Sequence, residues 1–294
     1  MKIFKILIPC YNDWKSLFKL LDRIDFNIKE FNEEFSVIIV NDCSTEQIPN
    51  LKIDYKKIKS IDVMHITQNQ GHTRCNATGI KYLSKNLKFD YLILMDGDGE
   101  DRPEDLPLII SRVLKNKNIS VVATRARRSE GTVFKLLYQF HKLVTLIFTG
   151  KNMNFGHYSC LTKEDALLLS TKKGLWSNFA GTAKKFIHNL DGIPTDRGNR
   201  YFGPSKMPLK GLIVHSLSII STFKNQVLLR SLFIIFSFIL LFYIEPNFFY
   251  ILASVITAIF CLVIFFISKR ENLSELNNSQ NRINKIENIH TIRL

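Results

Sequence analysis

From Phe248 to Ile267 the chain runs 20 residues without a charge, and most of them are apolar. A helix of that length covers the hydrocarbon thickness of a bilayer, and a run with no polar face is not an ordinary surface helix. A second run, Ser231–Ile244, is shorter at 14 residues. It can span if Val227, Leu228 and Leu229 join it and Arg230 extends its guanidinium to the headgroups. Glu245-Pro246-Asn247 reads as a tight turn between the two. Together they predict a transmembrane helical hairpin over 227–268 with both ends on one side. A buried hairpin of a soluble protein is the alternative, disfavoured because neither run has a polar face.

Charge gives the orientation. Lys206, Lys210, Lys224, Arg230, Lys269 and Arg270 flank the open end of the hairpin, whereas the turn carries one Glu. Positive charge stays inside, so the chain is expected to be a multi-pass protein of the cell (inner) membrane with both termini and the bulk of the chain cytoplasmic. The first apolar run is broken by Lys5 and stopped at Pro9, unlike a signal peptide. The net charge of +14 suits anionic lipid or phosphate-bearing substrates, and the apolar C-terminal third favours membrane over nucleic acid. Five scattered cysteines without C-x-x-C spacing argue for reduced thiols and against a zinc site.

Ahead of the hairpin, apolar strand-like runs alternate with helical periodicity. Ile3–Ile8, Phe35–Val40, Asp62–Ile66, the run from Tyr91 and Ser120–Thr124 read as strands. Asn12 is placed to cap a helix with Trp14, Leu17, Leu21, Ile24 and Ile28 on one face. A second helix is expected from Thr73 to Asn86. Asp101-Arg-Pro-Glu104 has the form of a capping box opening a third through Val113, and Thr132–Phe148 reads as a long amphipathic helix. This alternation predicts an α/β fold, a mostly parallel sheet with helices on both faces. Pro208–Lys224 reads equally as an interfacial helix or as one packed on the preceding domain. The tail after Lys269 is polar, with a weak helical pattern. The expected division is 1–205 catalytic domain, 206–226 juxtamembrane segment, 227–268 hairpin and 269–294 polar cytoplasmic tail.

Chemistry concentrates where the strand from Tyr91 ends, in Asp96-Gly-Asp98. In extended backbone, residues two apart point to one side, so the two carboxylates converge beyond the strand's carboxyl end, the edge at which open α/β sheets bind ligands. Hard oxygen donors there suit Mg2+ or Mn2+ held together with a substrate's phosphates. Three further segments line up with it: Pro9-Cys-Tyr11-Asn-Asp13, Asn41-Asp42-Cys-Ser-Thr45, and Gly71-His-Thr-Arg-Cys-Asn76-Ala-Thr-Gly79.

In that order the four segments resemble the motifs of family 2 glycosyltransferases with the GT-A (Rossmann-like) fold, over about the first two-thirds of the chain. The resemblance implies an enzyme with a nucleotide diphosphate sugar donor. Pro9, Tyr11, Asp13, Asp42, Gly71, Asn76 and Asp96 would bind that donor, Tyr11 by packing and Asp42 by accepting a hydrogen bond from base or ribose. Gly71 and Asn76 sit at a helix start, where free N–H groups favour anions; simple capping is the equal alternative.

Asp96–Glu104, the Arg125–Glu130 run with Arg128, Arg200-Tyr-Phe-Gly-Pro-Ser-Lys206 and two following apolar helices are similar to dolichyl-phosphate mannose synthases and bacterial polyprenyl-phosphate glycosyltransferases. What this implies is inverting, metal-dependent transfer of a sugar to a polyprenyl phosphate. Asp96 and Asp98 would hold the metal, and Arg125, Arg128, Arg200 and Lys206 the acceptor phosphate or diphosphate. His157 stands where the resembling enzymes carry an aspartate. It is a base toward a sugar hydroxyl, a phosphate contact or a structural residue. Its presence keeps open a lipid-linked glycan as acceptor. A catalytically silent nucleotide-sugar-binding scaffold is the rival from another class. Resembling enzymes with two spans can assemble as homo-oligomers, tetramers among them.

Overall fold

A computed structural model describes residues 1–49, 54–127, 132–204 and 209–292, without the side chains of 125–127, 132–135 and 209. In chain order its elements are β1 (Ile3–Cys10), α1 (Trp14–Asn27), β2 (Glu34–Asn41), β3 (Ile58–Ile66), α2 (His72–Asn86), β4 (Tyr91–Leu94), α3 (Leu106–Lys115), β5 (Ser120–Arg127) and α4 (Thr132–Thr149). There follow β6 (Phe155–Thr162), α5 (Lys163–Leu169), α6 (Phe179–Phe186), β7 (Leu190–Asp196), α7 (Leu209–Ser221), α8 (Lys224–Ile244), α9 (Phe248–Ser268), α10 (Leu273–Asn278) and β8 (Ile283–Thr291).

The described strands form one sheet in the order β7-β5-β6-β4-β1-β2-β3-β8. Most strands run parallel; β6 and β8 run against their neighbours. The central strands are apolar on both faces because both are covered. Phe4, Ile6 and Ile8 of β1 pack with α1 and α3 on one side, and Leu7 packs with α2, α5 and α6 on the other. Rings of Phe4, Phe35 and Tyr91 stack across three strands at 5.1 and 4.9 Å. Each such side chain taken from water contributes about 1.5–3 kcal/mol. Gly79 lets α2 lie close to the sheet, since a Cβ there would meet Leu7 Cδ1 at 2.5 Å.

Three expectations are corrected. Asn12 does not cap α1, which begins after Asp13, because Asn12 is committed to the neighbouring loop. The capping box at Asp101–Glu104 does not form: Pro103–Asp105 make a short 3-10 turn with no side-chain cap, and Asp101 Oδ2 instead accepts from the Asp96 N–H at 2.9 Å. The tail is not a separate polar helix. Leu273–Asn278 form a short α-helix, Ser279–Arg282 a 3-10 turn, and Ile283–Thr291 return to pair antiparallel with β3 as the edge strand. Ile283, Glu287, Ile289 and His290 are half-buried and the other residues of β8 exposed, as suits an edge strand only partly covered.

α8 and α9 are long and apolar enough to cross a membrane, with mean hydropathy of 2.5 for Lys224–Ile244 and 2.8 for the stretch from Phe248. Only 11% and 22% of these windows are buried, unlike the core helices of a soluble protein. α4 adds to the exposed apolar surface. Leu136, Phe140, Leu143 and Ile147 recur at helical spacing on one exposed stripe, Phe140 at 64%. The opposite side of α4 packs on α9 through Phe148 and Phe260, ring centroids 4.4 Å apart. Arg230 reaches back from α8 to donate to the Ile147 carbonyl at 3.0 Å. α7 divides in two: Leu212 and Ile213 are exposed, while Ile220 is buried against α9.

Candidate active site

Parallel neighbours carry their carboxyl ends to one edge, so β1 delivers Pro9–Asp13, β2 delivers Asn41–Thr45 and β4 delivers Asp96–Asp101 to the same rim. Asn12 joins the first two. Its backbone N–H donates to Ser44 Oγ at 2.9 Å and its side-chain N–H to Thr45 Oγ1 at 3.0 Å. Its Oδ1 accepts from the N–H groups of Thr45 and Glu46 at 2.8 and 3.1 Å. These bonds hold Asn12 at φ 49°, a left-handed conformation that Asn tolerates. Pro9 is buried in β1 beside Val40, and Tyr11 leaves 41% of its surface open at the rim.

Asp42 is corrected from free acceptor to loop anchor. Its Oδ1 accepts from Gln70 N–H at 2.7 Å and its Oδ2 from Gly71 N–H at 2.8 Å, and the residue is 3% exposed. Asp42's carboxylate thus ties down the loop that leads into α2, through the N–H groups of the two residues that precede the helix. Gly71 caps α2 at φ 84°.

The two acids after β4 part company. Asp98 Oδ2 accepts from Arg200 Nη1 at 2.5 Å, and the other arm of the same guanidinium, Nη2, donates to Asp13 Oδ2 at 2.5 Å. Arg200 is thus a clamp between two carboxylates rather than a guanidinium left open for phosphate. Asp13 Oδ1 also accepts from Ser16 Oγ at 2.6 Å. Burial, then the charge of Asp96, push the Asp98 carboxyl up to about 6. Gly99 turns the chain at φ 92° against Tyr201, whose ring a Cβ would meet at 2.6 Å; the Tyr201 N–H donates to the Asp98 carbonyl at 2.9 Å.

Asp96 turns instead toward two histidines. Its Oδ1 lies 2.6 Å from His72 Nε2, and the donor atoms of His72, Asp96 and His157 all lie within 4.8 Å of one another. Burial opposes charge on Asp96, but the His72 imidazolium holds it well below the usual carboxylate range. Burial likewise opposes charge on His72, and Asp96 reverses the balance and raises it. Burial, then His72, push His157 down to about 3, so its ring is neutral near pH 7. The His157 ring stands edge-on between His72 and Phe179, 5.2 Å from each. Asn76, 1% exposed, sits with its amide nitrogen 3.1 Å from His72 Nε2. Two buried polar atoms of the cluster, His157 Nε2 and Asn76 Oδ1, have no hydrogen-bond partner.

Of the other sequence candidates, Arg125 lies on β5 opposite Thr195 of β7, its side chain outside what is described; Arg128 and Lys206 lie outside the described residues. Sequence reasoning missed His72. A signal was present: His72 and Asn76 are four apart and share a helix face. Phe179 of α6, also missed, packs edge-on against His157. Arg197, also missed, pairs with Glu100 beneath the same turn.

Comparison with known proteins gives one family description, "Glycosyl transferase family 2", matching residues 5–176. Solved structures of glucosyl-3-phosphoglycerate synthase from Mycobacterium tuberculosis resemble the chain in fold. The complex with Mn2+, UDP-glucose and phosphoglyceric acid has 14% identity and a TM-score of 0.53, covering 77% of this chain and 80% of that one. The complex with Mg2+ and UDP has 14% identity and a TM-score of 0.51, covering 77% and 79%. The sheet is therefore of the GT-A type.

Proposed function

Because the chain belongs to glycosyl transferase family 2, we propose that it is a membrane-anchored inverting enzyme that moves a sugar from a nucleotide diphosphate sugar to a polyprenyl phosphate, with the catalytic domain and both termini cytoplasmic. One observation carries the membrane half of this reading: the acidic rim adjoins the helices that lead into the apolar hairpin. His157 packs on Phe179 of α6. α6 lies against α7 so closely that a Cβ on Gly181 would meet Thr222 Oγ1 at 2.8 Å. His215 of α7 is near enough for its charge to act on His157. An acceptor whose tail lies among α4, α7, α8 and α9 would present its head to this edge of the site. The return of β8 to the sheet after α9 supports a hairpin that leaves and re-enters on one side.

The donor half rests on the rim. Tyr11 offers an open ring for a base, and Asn12 and Asp42 fix the two loops on which it rests. The resembling M. tuberculosis enzyme holds Mn2+ with UDP-glucose. Asp96, His72 and His157 fit a divalent ion, since two buried polar atoms there lack partners and the donors are a carboxylate and imidazoles. Such an ion, when bound, offsets the charge that develops on the leaving nucleoside diphosphate. The chain's own residues do the rest. Arg200 bridges Asp98 and Asp13 and so fixes the turn after β4 against the loop after β1. Arg125, Arg128 and Lys206 are proposed to hold the acceptor phosphate, which is already ionised near neutral pH and needs positioning more than a base.

Membranes containing the protein, given radiolabelled nucleotide sugars and polyprenyl phosphate, should form a labelled lipid in a divalent-dependent reaction. Label appearing only in an oligosaccharide-lipid would replace the acceptor with a glycan hydroxyl. No label transfer from any nucleotide sugar would leave the silent scaffold.

A further inference from the structure

We propose that His72, Asp96 and His157 are the protein ligands of a divalent-cation site built for a nitrogen-accepting transition ion rather than for Mg2+. The inference deepens the donor-site reading by naming the ligands and class of ion. The paired aspartates, by contrast, would form an all-oxygen site.

Three elements converge to make the cluster. His72 is the first residue of α2, Asp96 follows β4, and His157 lies on β6, which pairs with β4. Their donor atoms fall within 4.8 Å of one another, so one ion can touch all three. His157 Nε2 is buried and unpartnered. A buried imidazole nitrogen with no partner forfeits a hydrogen bond, and a metal ion would satisfy it. Asn76 Oδ1 is a second unpartnered atom on the same small cluster, in a side chain 1% exposed. Asp98 is engaged elsewhere, its Oδ2 taken by Arg200 at 2.5 Å and its Oδ1 by the Glu100 N–H at 2.9 Å.

The donor set decides the class of ion. Imidazole suits Zn, Cu, Fe and Ni, whereas Mg2+ keeps to oxygen and gives up water reluctantly. Two imidazoles and one carboxylate leave coordination positions open, room for diphosphate oxygens. Support for the ligands is in place. The backbone N–H of Asp96 donates to Asp101, and Phe179 holds the His157 ring edge-on. Ligand orientation of this kind is what metal affinity depends on.

The test uses the full-length protein in detergent micelles, titrated with Co2+ alone and followed by visible absorption and calorimetry. Nitrogen ligation should shift and intensify the d–d bands relative to aqueous Co2+, and a roughly hundredfold excess of Mg2+ should not reverse the change. His72→Gln and His157→Gln should each lower Co2+ affinity at least tenfold. Asp98→Asn should change it less than about threefold. Far-UV circular dichroism and melting confirm that each variant is folded, and Mn2+ binding followed by pulsed EPR reads nitrogen coupling directly. Wild-type Co2+ affinity in both histidine variants, with loss in Asp98→Asn, would overturn the proposal in favour of the paired aspartates; so would oxygen-only coupling. Sugar transfer with a purely oxygen-bound ion would refute this site and leave the enzyme reading intact. Nitrogen-ligated Co2+ with no nucleotide sugar consumed would do the reverse.

Discussion

The sheet rim and the helices behind it finish their interactions in opposite ways. At the rim nearly every polar group mentioned has an internal partner: Asn12 joins two loops, Asp42 holds the start of α2, and Arg200 sits between Asp98 and Asp13. In α4, α8 and α9 the backbone is satisfied within each helix, but the apolar side chains are not covered: Phe140, Phe233 and Phe266 are 64%, 70% and 70% exposed. The first region is completed largely by the chain itself; among the rim residues named, His157 Nε2, Asn76 Oδ1, Arg200 Nε and Gln70 Nε2 are buried without a partner. The second is completed by its surroundings. Unpaired polar atoms in one place and uncovered apolar side chains in another are the observations on which the proposed ion and lipid contacts rest.

The comparison is most severely tested at Asp96, where rim and cluster meet. Asp96→Ala should reduce turnover at least 10^3-fold, a loss typical of removing charge stabilisation from a reacting centre, while the protein stays in the membrane fraction. Retained turnover would remove the rim from the chemistry. Arg200→Leu comes next. It leaves Asp98 and Asp13 facing each other without their cation, and thermal melting should show a loss of about 3–5 kcal/mol, the range for breaking a buried pair. An unchanged melting temperature would mean that the rim is not completed internally.

Leu136→Glu with Phe140→Glu addresses the other region. Charge on the α4 stripe should lower kcat/KM for a lipid acceptor in vesicles by roughly tenfold or more, since each charge must be kept out of an apolar phase. Nucleotide binding should be unaffected. An equal loss with a water-soluble short-chain acceptor would show that the stripe is covered by protein.

The smallest effect concerns the far edge of the sheet. His65 Nδ1 lies 3.0 Å from the Asn41 amide, which a neutral ring can accept. Burial, then Lys285, hold His65 below its ordinary 6.5. Between its folded value and 6.5 the unfolded chain therefore binds more protons. The contribution is complete above pH 6.5 and declines as pH falls through the folded value. Amide protection factors of β8, corrected for the intrinsic pH dependence of exchange, should fall on acidification, and His65→Gln should flatten that dependence.

Much of the architecture is legible in the sequence because it follows from period and punctuation. Apolar runs at Ile3, Phe35, Tyr91 and Ser120 mark strands, and the helix expected from Thr73 to Asn86 is found at His72–Asn86. What the sequence hides is anything that depends on distance in space. Ile283, Ile286 and Ile289 are spaced as for a weak helix, and only the open edge of β3 makes the segment a strand, with Ile283 and Ile289 half-buried and Ile286 exposed. Asp42 reads as a ligand until Gln70 and Gly71 are seen on its two oxygens. Asp96 and Asp98 share a spacing, yet Arg200, some hundred residues on, turns one aside while His72 receives the other.

The return of β8 also fixes an order of events. Its partner β3 is made early and β8 only after the hairpin, so the catalytic sheet cannot close its last edge until both apolar helices have been synthesised. During that interval β3 presents unpaired backbone, an invitation to pair with another chain. The sooner α8 and α9 are placed, the shorter the wait, which ties sound folding of the sheet to prompt placement of the hairpin.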